Sequence, residues 1–170
     1  MGVKIRFNVA KFGAKVASQV SKFGFGSGNN LPGYVFYKIA GKEALKDLAH
    51  EMSIGPILIT GTNGKTTTTT LLIKLLSADT KIRKSFESNT IHAITIGILK
   101  GDGDLGVFEY GIRNKSYGIP DTVQRLIDPV GVVYTTISRE HSQVAGVKNP
   151  FEEYVDAKSL LSQGMTRGVV

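Results

Sequence analysis

The chain contains no cysteine. That excludes disulfides, thiolate metal sites and a cysteine nucleophile, and it agrees with a reducing compartment. Long apolar runs are missing too, since no stretch approaches the ~18 residues that a membrane span requires. The basic N-terminus lacks the continuous apolar core and cleavage site of a secretory signal, so the cytoplasm is the expected location. No block of like charge occurs either. The formal net charge is +7, but the lysines and arginines are scattered and not interleaved with aromatics. That pattern argues against nucleic acid and for small phosphate-bearing ligands. With 170 residues, 41% of them hydrophobic and 21% charged, one substantial core and little disorder are expected.

What the chain does have is centred on Ile57-Leu58-Ile59-Thr60-Gly61-Thr62-Asn63-Gly64-Lys65-Thr66-Thr67. The apolar run Ile57 to Ile59 predicts a buried strand, and Leu71 to Leu76 predicts a helix. Strand, glycine-rich turn and helix together are the context of a phosphate-binding loop. Glycines let backbone N–H groups close around phosphate oxygens, and a helix start adds unpaired N–H groups and a positive dipole end. Lys65 is then placed to reach the outer phosphates and the Thr66 hydroxyl to meet Mg²⁺. The general pattern has a glycine five positions before Gly64, where this chain has Ile59, so the loop is a tighter spelling. The plain alternative is a strand-to-helix turn that happens to hold two glycines.

Thr60-Gly61-Thr62-Asn63-Gly64-Lys65-Thr66-Thr67 closely resembles the nucleotide loop of the Mur ligase family, ATP-dependent amide-bond ligases that build cell-wall stem peptides. The resemblance continues along the chain. Ser85 to Thr90 reads as a Ser/Thr/Asn-rich turn before a helix over Ile91 to Leu99, and such a turn in the family faces substrate and phosphates. Asn89 and Thr90 are the matching positions; Ser88 or Asn89 could instead simply cap the helix. Leu105 to Gly111 predicts a second buried strand. It carries Glu109 at its C-terminal end, where open α/β sheets bind ligands, and the resemblance implies that Glu109 holds Mg²⁺. Val130 to Ile137, rich in β-branched residues, predicts a third and central strand. Behind it stand His141, matching a metal-binding histidine of the family, and Tyr154-Val155-Asp156-Ala157-Lys158, matching a helix whose lysine is often carbamoylated.

Further elements are predicted at 7–23, 42–51, 120–126 and from Asn149 onward. In the first, Phe12, Val16, Val20 and Phe23 fall at helical spacing between Lys11, Lys15 and Lys22. This stripe is expected to pack on its own domain, the alternative being a peripheral contact of residues 7–23 with anionic lipid. Gly24 to Asn30 reads as a linker and Leu31-Pro32-Gly33 as a turn. Their combination looks like the N-terminal part of MurT-type proteins, Mur-ligase relatives that amidate a carboxylate with a glutaminase partner.

The expected fold is α/β, a parallel sheet with helices on both faces. It would comprise an N-terminal segment (1–52) and an incomplete ATP-binding central domain of the P-loop kind (53–170), the front part of a longer protein. The resemblance implies ATP and Mg²⁺ as cofactors, with Gly61, Thr62, Asn63, Gly64, Lys65, Thr66, Thr67 and Asn89 at the nucleotide. Thr66, Glu109 and His141 would hold metal, and Lys65, Lys158 and His141 would be catalytic. The expected activity joins an anionic cell-wall precursor, UDP- or lipid-linked, murein or pseudomurein, to an amino acid or ammonia. A MurT-type amidotransferase subunit working with a glutaminase and a non-catalytic nucleotide-binding fragment are the alternatives.

Overall fold

The structure is a computed structural model that describes residues 3–22, 30–88, 90–139, 148–166 and 168. Its four strands, β1 (Gly55–Thr60), β2 (Ile82–Ser88), β3 (Leu105–Tyr110) and β4 (Gly131–Tyr134), lie in the order β2-β3-β1-β4. Every neighbouring pair is parallel, as expected, and the three strands read from the sequence stand side by side as β3, β1 and β4. Side chains alternate along each strand, and this splits the core in two. Ile59, Leu105 and Val107 face helix α4 (Lys65–Leu76), meeting Leu72, Ile73 and Leu76. Leu58, Phe108, Tyr110 and Val132 point the other way, into a larger cluster. That cluster is built with α1 (Val3–Lys22), α2 (Leu31–Ala40), α3 (Ala44–Ala49), α5 (Ile91–Lys100), α6 (Pro120–Ile127) and α7 (Pro150–Ser159).

Four details depart from the sequence reading. Ile82–Ser88 is a strand, so Ser85 to Ser88 belong to the sheet and not to the expected turn. The strand lies at a sheet edge among the described residues, and its buried Arg83 is matched locally: Nε donates to the Gly103 carbonyl at 2.8 Å and Nη1 to that of Ile98 at 2.9 Å. Leu31-Pro32-Gly33 opens α2 instead of forming a turn, because proline is tolerated in a first helical turn. β4 is an edge strand among the described residues, β1 and β3 being central. Its β-branched residues report cover on both faces, with Val132 in one cluster and Val133 against the other. Finally, α1 buries Ala10, Ala14 and Ala17 and leaves Phe12, Val16 and Val20 exposed. The predicted inward stripe points outward.

Helix ends follow the local chemistry. Thr90, rather than Ser88 or Asn89, caps α5, its Oγ1 accepting from Ala93 N. Asn149 caps α7 and accepts from Glu152 N.

Candidate active site

The C-terminal ends of β1 and β3 converge on the glycine-rich turn. The parallel register sets Ile59 beside Glu109, so the carboxylate stands one residue short of the loop's first threonine. Gly61 has φ +150°, and a Cβ there would collide with Thr135 Oγ1. Gly64, at φ 84°, is the left-handed N-cap of α4. Gly61→Ala is therefore expected to cost about 2 kcal/mol in strain and overlap, lowering the thermal midpoint by ~4–8 °C. Circular dichroism would measure the shift, and nucleotide affinity should fall with it.

The loop is braced by the end of β4. Thr135 N donates to Thr60 O at 2.8 Å and Thr135 Oγ1 to Asn63 O at 2.7 Å, while Thr62 N donates to Thr136 O at 2.6 Å. Thr62 Oγ1 accepts from Ser138 N at 2.9 Å and lies 3.0 Å from the Tyr154 hydroxyl. Thr62 thus ties the loop to α7 and to the segment after β4. Thr67, two residues into α4, is exposed.

Two arrangements carry chemistry. Thr66 Oγ1 donates to Glu109 Oε2 at 2.8 Å, joining the helix start to the β3 carboxylate. Paired hard oxygens of this kind fit Mg²⁺. Lys65 Nζ folds over the loop and donates to Thr62 O at 2.9 Å.

The second arrangement is Lys158, only 1% exposed. Its Nζ donates to Ile112 O at 3.0 Å and Gly61 O at 3.2 Å, and lies 3.4 Å from Thr60 Oγ1. It also sits 4.4 Å from the centroid of the Tyr154 ring, as the i,i+4 spacing on one helix face allows. No carboxylate among the described residues forms an ion pair with it. Burial pushes this ammonium down from its ordinary 10.5 to about 7, and the charge of Lys65 adds to the shift.

Thr66, Glu109, Lys65 and Lys158 therefore gather around one loop at the strand ends. Asn89 and His141 lie outside the described residues. Sequence reasoning missed Thr135, Thr136 and Ser138 as braces, and the carbonyls of Gly61 and Ile112 as partners of Lys158. Main-chain acceptors leave no mark in a sequence, whereas the Tyr154–Lys158 interval was a usable signal.

A glycine-rich loop between a buried parallel strand and a helix, with a neighbouring strand's carboxylate against its threonine, defines an α/β domain of the phosphate-binding-loop class. Residues 59–170 match the Mur ligase middle domain, and the chain belongs to the Mur ligase family. It is 36% identical over 100 residues to a UDP-N-acetylmuramoyl-tripeptide--D-alanyl-D-alanine ligase of Borreliella burgdorferi, covering 56% of this chain and 21% of that protein. Against the ligase of the same name from Bacillus subtilis it is 29% identical over 117 residues, covering 65% and 25%. The chain thus spans about a fifth to a quarter of the curated relatives' length. Among solved structures, MurF from Acinetobacter baumannii superposes with TM-score 0.60 at 17% identity, covering 80% of this chain and 28% of that one. MurF from Thermotoga maritima in complex with ADP gives 0.56 at 19%, covering 71% and 29%. At these identities the structural likeness is one of fold.

Proposed function

We propose that the chain is the nucleotide-binding portion of an ATP-dependent ligase that joins a cell-wall precursor carboxylate to an amine. The observation that carries this reading is Lys158, a buried amine held under the loop by two carbonyls and made weakly basic there. A buried amine of lowered basicity beside the loop suits the ligase chemistry better than nucleotide binding alone.

A carboxylate oxygen is a poor leaving group. In the proposed reaction the carboxylate attacks the γ-phosphorus of ATP and ADP departs. The amine then attacks the acyl carbon, phosphate leaves and the nitrogen loses its proton. Phosphoryl transfer asks a protein mainly for positioning and charge neutralisation. Backbone N–H groups from Gly61 to Thr67 and the start of α4 would cradle the phosphates, with Lys65 at the outermost. Thr66 and Glu109 would hold Mg²⁺, which supplies positive charge where the transferred group gathers negative charge. Lys158 Nζ in its neutral form can add to CO₂, losing a proton and becoming a carbamate. That replaces a cation beside the metal region by an anion.

The relatives' names point to a UDP-linked muramoyl peptide as acid and D-alanyl-D-alanine as amine. The test uses the full-length protein with ATP, UDP-N-acetylmuramoyl-tripeptide and D-alanyl-D-alanine, following ADP release and product mass. ADP release that requires both acid and amine, with a product heavier by the dipeptide, is expected. Product only with ammonia or with a glutaminase present would move the reading to a MurT-type amidotransferase. ATP turnover indifferent to both acid and amine would overturn it.

A further inference from the structure

Helix α1 is amphipathic in an unusual sense, because its larger apolar residues face outward. Ala10, Ala14 and Ala17 are its buried side, pressed against the rest of the fold. Small residues allow the close approach: a Cβ on Gly13 would sit 3.0 Å from Ile39 Cδ1 and 3.3 Å from Val35 Cγ1 of α2. On another side Ile5, Val9, Phe12, Val16 and Val20 recur at intervals of three and four. They are exposed by 56%, 42%, 70%, 47% and 42% respectively. Five such side chains in one stripe are not the scattered apolar residues of an ordinary surface.

The charge of the same helix is one-sided. Its sequence holds Lys4, Arg6, Lys11, Lys15 and Lys22 and no acidic residue. Lys11 is paired with Glu51 at 2.6 Å, but Arg6 and Lys15 form no ion pair among the described residues. Beside the stripe a cavity of about 490 Å³ opens between α1 and α5. Phe12, Pro32 and Leu99 give it apolar walls, and Lys11, Lys15 and Lys100 line it as well. Apolar walls with amines around them suit an amphiphile that has an anionic head.

We propose that this face of α1 docks on an anionic lipid bilayer. The helix lies in the interface plane, with Phe12, Val16 and their neighbours among the acyl chains and Lys15 and Lys100 at the phosphates. No helix among the described residues is long and apolar enough to cross a membrane, so the contact is peripheral. Charge complementarity favours lipid over a second copy of the chain. Two α1 stripes brought together would also bring together two basic helices with no acid of their own to offset them. The inference makes no use of the nucleotide loop and stands apart from the ligase reading.

The experiment is co-sedimentation of the full-length protein with vesicles of phosphatidylcholine alone and of equimolar phosphatidylcholine and phosphatidylglycerol. Binding to the anionic vesicles is expected to exceed binding to the neutral ones by about tenfold or more, and to weaken with added salt. F12E/V16E and K15E/K100E should each reduce it by about tenfold, through lost insertion and lost charge respectively. Both pairs alter surface positions, so circular dichroism and the thermal midpoint should match the parent and show that the fold survives. Absence of vesicle binding by the parent, or equal binding by parent and variants, would overturn the proposal. So would a dimer in light scattering that F12E/V16E dissociates and that ignores vesicles, which would assign the stripe to a second copy.

Discussion

Lys65→Ala is expected to weaken ATP binding by roughly 10- to 100-fold while leaving the fold intact. Charge-assisted hydrogen bonds contribute about 1.5–3 kcal/mol, and each 1.4 kcal/mol is tenfold in affinity. Lys65 is the first residue of α4, and its amine already reaches across the loop to Thr62 O at 2.9 Å. Alanine is the best helix former, so the helix start is not weakened by the change. The Thr62 carbonyl loses the lysine as a donor, but Thr62 itself stays anchored through its N–H to Thr136 and its hydroxyl to Ser138 and Tyr154. Lys158 does not replace Lys65, because its Nζ is held by Gly61 O and Ile112 O and is largely desolvated. Calorimetric titration of the full-length protein with ATP and Mg²⁺ measures the effect. Unchanged affinity would mean that the loop does not bind triphosphate in the proposed way.

The parts of the molecule legible in the sequence are those whose chemistry is local or repeats along the chain. Ile57 to Ile59, Val107-Phe108 and Val132-Val133 are apolar without interruption because β1, β3 and β4 are covered on both faces, and continuous runs announce that. The place of Glu109 was legible as a carboxylate ending such a run, and the structure sets it against Thr66 at the loop. Asn149-Pro150 marked a helix start through the cap and the first-turn proline. What escaped was decided at a distance. β2 carries Arg83 and Lys84, and it is a strand because β3 offers it a paired edge. The orientation of α1 was misread because periodicity finds large apolar residues, whereas the α1–α2 contact selects small ones. Ala10, Gly13, Ala14 and Ala17 are a weak signal on any hydrophobic scale, and close backbone approach is what they provide.

Lys158→Ala is expected to abolish ligase activity in the full-length protein while ATP binding stays within a few-fold. The argument begins with protonation. An ordinary lysine at pKa 10.5 is neutral in only about one molecule in three thousand at pH 7, whereas one at about 7 is neutral in roughly half. CO₂ adds only to the neutral amine, so burial under the loop, with the charge of Lys65, enlarges the reactive fraction. An unmodified, protonated Lys158 beside Lys65 would set two cations against the proposed Mg²⁺, which is unfavourable. As a carbamate it would add negative charge to the region of Thr66 and Glu109, the pair proposed to hold Mg²⁺ and joined at 2.8 Å. Removing the side chain vacates the volume it fills beside Tyr154 and under the loop. Acetate or another short acid added to Lys158→Ala should therefore restore part of the rate, in proportion to its occupancy of that space. Lys158→Met separates packing from charge: it keeps most of the volume and should be as inactive as alanine, yet unresponsive to acetate. Activity retained by either variant, or a lost activity in Lys158→Ala that no short acid recovers, would remove the carbamate from the mechanism. Lys158 would then be a buried amine that anchors α7 beneath the loop.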